Sequence, residues 1–261
     1  MTEGEHRLIT IPFSHYCEKA RWALDRSGVA FREEGHLPLF HYLANRRAGA
    51  GRTVPVLVYP GGLIGDSTEI IAFADAARPG ALLPTDAAVR ADAVGLEDDF
   101  DRHLGPATRR WAYFQMLARP DLDTYVARGV PGWQVRALRL SRPLAIAFLK
   151  RSLRIDAAGA ARSKAKIDDT FEQVSELLRD GRRFLVGDRF SVADLTFAAL
   201  SAPVLAPAGH PFALPPPSDL GPVAHDQIEA WRATRAGRFA LRMYAEERRA
   251  VAGAPAGRVA R

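Results

Sequence analysis

Cysteine is scarce in this sequence. Its 261 residues include one, Cys17, so no disulfide can form within the chain. No run of apolar residues approaches the roughly 18 that a membrane-spanning helix requires, and the charged first residues lack the apolar core of a secretory signal. These absences predict a cytoplasmic protein without stable membrane insertion.

Motifs for metals and nucleic acids are also missing. The chain carries a net charge of +6 and a calculated isoelectric point near 9.8. A basic charge balance of this kind suits the binding of nucleic acid, a membrane surface or an anionic small ligand. The basic residues are spread over many segments, and we find neither zinc-ligand spacing nor an RNA-binding motif or a lysine-rich tail. We therefore predict no metal site and no nucleic-acid partner.

Strand signals are confined to the first part of the chain. β-Branched residues, prolines and glycines there mark short strands and the turns between them. The predicted order is βαβαββα. Its elements are a strand at 7–12, a helix that ends near Gly28, a strand at 29–33, a short helix within 36–50, strands at 53–59 and 63–65, and a helix that opens at Asp66.

Helical signals take over after a linker at 78–84. Residues 87–118 are predicted to form one long helix or a bent pair around Gly105-Pro106, and further helices are predicted at 133–155, 157–180 and 224–248. Six prolines predict a loop at 203–217. This succession is typical of the α+β class. We predict an N-terminal domain of residues 1–80 and an all-α C-terminal domain of residues 81–261.

The turn Ser14-His15-Tyr16-Cys17 joins the first strand to the first helix. Backbone amides at the amino end of a helix are unpaired and carry partial positive charge, which stabilises a thiolate. The turn can therefore activate a thiol, either that of Cys17 or one that belongs to a ligand. In the simpler interpretation, Ser14 only caps the helix and Cys17 is a small buried residue.

Two later dipeptides also suit a ligand. A cis bond at Val54-Pro55 would present the backbone of Val54 to it, although a trans proline at a strand edge is the alternative. Asp66 and Ser67 open a helix, where they can pair with the ammonium and the carboxylate of an amino-acid headgroup. Plain capping of that helix is the alternative.

In this order, the features resemble the cytosolic glutathione-transferase family of the serine/cysteine type. Val54-Pro55 matches the family's valine and cis-proline, Asp66-Ser67 matches its acidic-serine pair, and residues 187–194 are close to its helix-capping motif. The resemblance spans nearly the whole chain. It implies a thioredoxin-like N-terminal domain, glutathione as co-substrate, a small hydrophobic acceptor and a homodimer.

The resemblance also implies roles for individual residues. The thiolate of bound glutathione would attack the acceptor after Ser14 and the helix end have stabilised it. The implied glutathione contacts are the backbone of Val54 beside Pro55 for the cysteinyl unit, Asp66 and Ser67 for the γ-glutamyl end, and Arg52, with His41 or Asn45 as further candidates, for the glycyl carboxylate.

The first turn departs from the redox-active members of the family. Those relatives carry two cysteines there, and Ser14 occupies the place of the first. We therefore predict that Ser14 stabilises the thiolate, with Cys17 as runner-up and Tyr16 as a weaker candidate. Two alternatives are a glutathione-dependent thiol-disulfide reductase that uses Cys17 and a non-catalytic binding protein on the same fold.

The helical domain is expected to form the acceptor pocket. Trp111, Tyr113 and Phe114 are candidates for its wall, unless they belong to the core. Residues 124–155 contain seven arginines or lysines and no acid. That composition predicts a basic amphipathic helix, bent at Pro143, whose apolar side faces the core; it also suits an anionic membrane or an anionic acceptor.

Overall fold

The computed structural model describes residues 5–249. A mixed four-stranded sheet and three helices form the N-terminal part, as the α+β prediction requires. Within the described range, no helix is both long and apolar enough to cross a membrane. The elements are β1 (His6–Thr10), α1 (His15–Arg26), β2 (Phe31–Gly35), α2 (His41–Ala48), β3 (Val56–Tyr59), β4 (Gly62–Ile64) and α3 (Ser67–Ala77).

The sheet has the strand order β2-β1-β3-β4. Strand β1 runs parallel to β2 and antiparallel to β3, with Leu8 opposite Glu33 and Leu57. Leu8 and Leu57 are fully buried. The predicted order βαβαββα is confirmed. Strand β3 starts later than predicted because Pro55 has no amide hydrogen to donate to the ladder.

The C-terminal part is helical, as predicted, and contains most of the large core. We propose the domain boundary between residues 80 and 81, in the turn between α3 and the next helix. The helices are α4 (Ala87–Asp99), α5 (Gly105–Met116), α6 (Leu122–Val126), α7 (Gly132–Ser152), α8 (Ala157–Leu177), α9 (Val192–Leu205), α10 (Pro222–Ala233) and α11 (Arg235–Met243).

Three predicted helical boundaries differ from those observed. Residues 87–118 form a pair of helices, one of the two predicted arrangements, but the break is a π-helical turn, Phe100–Leu104, that ends before Gly105. Helix α9 includes Pro203, so the proline-rich loop begins later than predicted. The last helix breaks at Thr234, whose extended backbone and side-chain oxygen cap a new helix through a 2.9 Å bond from the Gly237 amide.

Helix α7 corrects the prediction for the basic stretch. Leu140 and Leu144, one turn apart, are 90% and 77% exposed, whereas Val135 and Ala145 pack inward. The expected arrangement, with the whole apolar side toward the core, is therefore only half right. Pro143 lies inside α7, which continues to Ser152.

The motif at residues 187–194 caps α9. Asp194 Oδ2 accepts hydrogen bonds from the Ser191 amide at 2.7 Å and the Ser191 hydroxyl at 2.9 Å. Its Oδ1 accepts from the Leu185 amide at 2.7 Å. Because Asp194 is fully buried, one carboxylate closes the loop onto the helix it begins.

Replacing Asp194 by alanine is expected to lower the free energy of unfolding by about 3 kcal/mol, since it leaves three buried donors without an acceptor. Urea denaturation followed by circular dichroism measures the change. The matched control is Asp188→Ala in the same motif, where the carboxylate is exposed and the expected change is within about 0.5 kcal/mol. Equal losses in the two variants would contradict this account of Asp194.

Candidate active site

Ser14 is the N-cap residue of α1. Its backbone is extended, with φ −74° and ψ 126°, and its side chain accepts no capping hydrogen bond from the helix. The residue is half-buried and lines two neighbouring cavities. The Ser14 hydroxyl and the free amides of the first turn are thus placed beside the space that a ligand would fill.

Cys17 lies one turn further along α1, and its thiol is within hydrogen-bond reach of the Ser14 side chain and the Ile11 backbone. It is fully buried and lines neither cavity. Burial raises the pKa of the Cys17 thiol to about 11, against smaller lowering effects from Arg21, the Ile11 backbone and Ser14. This environment argues against the runner-up assignment, because a reactive cysteine needs exposure and a lowered pKa.

Tyr16 and His15 anchor α1 on the helical domain. The Tyr16 hydroxyl donates to the Asp101 carbonyl at 2.9 Å, and burial raises its pKa. His15 Nε2 lies 3.0 Å from the Gly105 carbonyl, and burial lowers the pKa of His15 to about 3, so His15 is neutral. A Cβ at Gly105 would collide with the Tyr16 ring, so glycine is needed there. Because its hydroxyl already donates to the Asp101 carbonyl and its pKa is raised, Tyr16 is poorly suited to activate a thiol.

The loop before β3 contains a cis peptide bond between Val54 and Pro55. Asn45 Nδ2 donates to the Gly51 carbonyl at 2.9 Å and the Thr53 carbonyl at 2.8 Å. Within residues 5–249, the backbone amide and carbonyl of Val54 form no hydrogen bond. The side chain of Asn45 thus fixes the loop, and the Val54 backbone stays free to pair with an extended ligand.

His41 holds the same loop through its imidazole. Its Nε2 donates to the Arg52 carbonyl at 3.0 Å, and burial lowers its pKa. His41 and Asn45 are therefore occupied with the protein backbone. Arg52, whose side chain is exposed beside the cavity, is the better placed of the three for a carboxylate.

Asp66 is the N-cap residue of α3, where Oδ1 accepts from the amides of Thr68 at 2.8 Å and Glu69 at 3.2 Å. Asp66 is exposed, whereas Ser67 is 4% exposed. Tyr16 lines one of the two cavities beside Ser14, and the negative charge of the Asp66 carboxylate contributes to the raised pKa of Tyr16. The helix end thus lies within electrostatic reach of that cavity.

The larger of the two cavities, which we call the crevice, encloses about 240 Å³. It brings together Ser14, Arg52 and Val54 of the predicted site residues, and the further candidates His41 and Tyr16 also line it. Pro55, Asp66, Ser67 and Cys17 do not line it. Helix α7 closes its far side with Phe148 and Leu149, so the basic stretch contributes to the site.

The second cavity, which we call the acceptor cavity, is narrower, at about 50 Å³. Of the three predicted wall residues, Tyr113 lines it and the crevice alike. Trp111 is instead core, with its ring centroid 4.9 Å from that of Trp231. Phe114 is 38% exposed and lines neither cavity. Helical spacing alone did not identify which aromatic residue faced Ser14.

Arg109 is a lining residue that the sequence analysis did not single out. It lies one helical turn before Tyr113 on α5 and, like Ser14 and Tyr113, lines both cavities. These three residues therefore mark where the crevice and the acceptor cavity meet. Arg109 stands in a run of two arginines beside Trp111, and nothing in that pattern distinguishes it from Arg110.

A thioredoxin-like sheet with a cis-proline, followed by a helical domain that closes a crevice at the first helix, defines the class of protein. The sequence model of the glutathione S-transferase N-terminal domain matches residues 8–81, and that of the C-terminal domain matches residues 157–233. Together they cover more than half of the chain, which belongs to the glutathione transferase family.

Solved structures give the same fold. A glutathione S-transferase from Xanthobacter autotrophicus aligns over 97% of this chain and 95% of its own, with 16% identity and a TM-score of 0.57. Ure2p5 from Phanerochaete chrysosporium, cocrystallised with 1-(S-glutathionyl)-2,4-dinitrobenzene, aligns over 97% and 99%, with 15% identity and a TM-score of 0.55. No curated protein matches the chain.

Proposed function

We propose that this protein is a glutathione transferase that joins the thiol of glutathione to a hydrophobic electrophile. The observation that carries the proposal is the position of Ser14. It begins α1, uses its side chain for no cap, and lines both cavities. A thiol held there has the helix end on one side and the acceptor cavity on the other.

The residues around the crevice suit the parts of the tripeptide. The free backbone of Val54 beside Pro55 would pair with the cysteinyl unit. Asp66 and Ser67, at the start of α3, would hold the ammonium and the carboxylate of the γ-glutamyl end. Arg52 would hold the glycyl carboxylate.

Rate acceleration then comes from charge and proximity. The Ser14 hydroxyl donates a hydrogen bond to the thiolate, and the partial positive charge of the helix end stabilises it further. The bound thiolate attacks an electrophilic carbon held next to it. The buried, high-pKa thiol of Cys17 disfavours the reductase alternative.

The proposal includes a homodimer, which rests on family membership alone, and a cytoplasmic location, which the single cysteine suits. Light scattering after size-exclusion chromatography measures the molar mass in solution, and a value near the 28.6 kDa of one chain would contradict the dimer.

Calorimetric titration with glutathione, followed by a conjugation assay with 1-chloro-2,4-dinitrobenzene, tests the proposal. Binding together with turnover above the uncatalysed rate is expected. Binding without turnover by any electrophile would favour a non-catalytic binding protein, and absence of both would refute the proposal.

Arg52→Ala is expected to raise the Kd for glutathione about five- to tenfold, because a charge-assisted hydrogen bond at an exposed site is partly screened by water. Calorimetry measures the change. For the glycyl ethyl ester of glutathione, which lacks that carboxylate, wild type and variant are expected to bind alike.

Arg47→Ala is the matched control, since Arg47 is an exposed arginine on α2 outside the crevice. It is expected to leave both Kd values unchanged. An equal loss of affinity for glutathione and its ester in Arg52→Ala would show that Arg52 does not hold the glycyl carboxylate.

A further inference from the structure

The acceptor cavity is apolar except at one side. Its walls include Phe13, Met116, Val126 and Leu214. Among the residues that line it, Arg109 carries the charge, because burial lowers the pKa of His15 to about 3 and leaves that imidazole neutral. The cavity therefore offers an apolar volume with a guanidinium at its junction with the crevice.

Arg109 lacks partners of the kind that several other arginines of the protein have. Arg21 and Arg248, both buried, pair with Glu18 at 2.7 Å. Its neighbour Arg110 donates to the Leu153 carbonyl and to Ser163 at 3.1 Å. Within residues 5–249, Arg109 forms neither a hydrogen bond nor an ion pair. A half-buried guanidinium without a partner is costly unless a ligand supplies the anion.

The charge of Arg109 acts on the side chains around this junction. After burial, Arg109 is the next largest cause of the lowered pKa of His15. It also opposes the increase in pKa that burial produces at Tyr113. The positive charge of Arg109 thus acts on side chains of both α1 and α5, His15 and Tyr113, at the entrance of the acceptor cavity.

Volume limits the size of the acceptor. An apolar cavity of about 150 Å³ can hold a benzene molecule, whereas the acceptor cavity has about 50 Å³. Without movement of its walls it admits a few heavy atoms, so turnover of an aryl electrophile such as 1-chloro-2,4-dinitrobenzene requires those walls to move. The occupant that suits both the volume and the cation is a small molecule with a carboxylate.

From this arrangement we infer that the electrophiles this protein accepts include small carboxylic acids with a halogen on the carbon next to the carboxyl group, and that Arg109 holds the carboxylate. The inference rests on the proposed glutathione transferase function. An anionic acceptor and a thiolate repel each other, and a guanidinium between them offsets that repulsion while its fork fixes the carboxylate. In the reaction the glutathione sulfur bonds to the carbon, a halide leaves with the electron pair of the broken bond, and the thiol proton goes to solvent.

Chloroacetate and chloroacetamide test this inference, since they are nearly equal in size and differ in charge. The quantity to compare is kcat/KM divided by the uncatalysed rate constant with glutathione, followed by loss of free thiol. Wild type is expected to favour chloroacetate. Arg109→Gln is expected to lower the chloroacetate value about 10- to 100-fold and the chloroacetamide value less than threefold.

Arg102→Gln is the matched control, because Arg102 is an exposed arginine on the π-helical turn that precedes α5. It is expected to leave both values unchanged. A Cys17→Ala background excludes alkylation of the protein's own thiol, since Cys17 is its one cysteine.

Three results would overturn the inference. They are a chloroacetate-to-chloroacetamide ratio that is the same in wild type and Arg109→Gln, turnover of chloroacetamide but not chloroacetate, and a Kd for glutathione that rises in Arg109→Gln enough to explain both losses. Failure of the proposed function is distinct: neither electrophile, nor 1-chloro-2,4-dinitrobenzene, would react above the uncatalysed rate.

Discussion

Replacement of Ser14 by alanine is expected to lower kcat/KM for glutathione conjugation about 100-fold, the usual loss when one donor to a developing or bound anion is removed. The Ser14 hydroxyl lines both cavities and is the side chain at the amino end of α1 best placed to donate to the thiolate. Because the contact is to the sulfur and not to the rest of the tripeptide, the Kd for the thiol form should change little.

The pH profile gives an independent readout for Ser14→Ala. A hydrogen bond to the thiolate stabilises the charged form and lowers the pKa of the bound thiol. Its removal should therefore move the rise of kcat with pH to higher pH by about one unit or more. The ultraviolet absorbance of the bound thiolate, titrated in both proteins, measures the same shift directly.

Cys17→Ala is the control for Ser14→Ala. Cys17 is fully buried and lines neither cavity. Its loss therefore removes packing but no direct contact with the ligand, and activity per folded molecule should stay within about threefold of wild type. If Cys17→Ala abolished turnover and Ser14→Ala did not, the assignment of roles in this turn would be reversed and the reductase alternative would regain support.

The second large effect is expected at Lys19, in the buried contact between the two parts of the chain. Lys19 Nζ bonds to Asp101 at 2.6 Å and also to Glu97, and Thr68 donates to Glu97 at 2.5 Å. Lys19→Met leaves two carboxylates without their cation. We expect the free energy of unfolding to fall by about 3–5 kcal/mol in urea titrations.

This loss should depend on pH in a defined direction. Burial raises the pKa of Asp101 in the folded protein, and Lys19 opposes that increase. Without Lys19 the pKa of Asp101 in the folded protein rises further above its value in the unfolded chain. The folded protein then binds a proton that the unfolded chain does not bind as the pH falls through that pKa, so the stability lost in Lys19→Met should be smaller at pH 5 than at pH 8.

Two further variants test the interpretation of Lys19→Met. Lys164→Met removes a lysine that pairs with Asp168 at 2.6 Å on a half-exposed face of α8, and should cost less than about 1 kcal/mol. Lys19→Met combined with Glu97→Gln should recover part of the loss, because one unpaired carboxylate is gone. A pH-independent loss would indicate that packing and not charge is responsible.

The positions of Ser14 and of the Ser191–Asp194 box were predictable because each belongs to a short motif. A cap and a capping box depend on residues within about four positions of one another, so the local sequence indicates the local backbone. The same holds for the order of strands and helices, which follows hydrophobic periodicity. The cis bond at Val54-Pro55 was left open by the residues alone and was implied by the resemblance to the family.

The roles of Arg109, Lys19 and Cys17 depended on distant parts of the chain. Lys19 and Glu97 are 78 positions apart, and His15 and Gly105 are 90. Which side of α1 meets the sheet, which meets α4 and α5, and which meets the crevice is decided when all of these pack at once, and burial then changes the chemistry of each group. Periodicity places a residue on a face of its helix, but only the packed neighbours determine what that face meets.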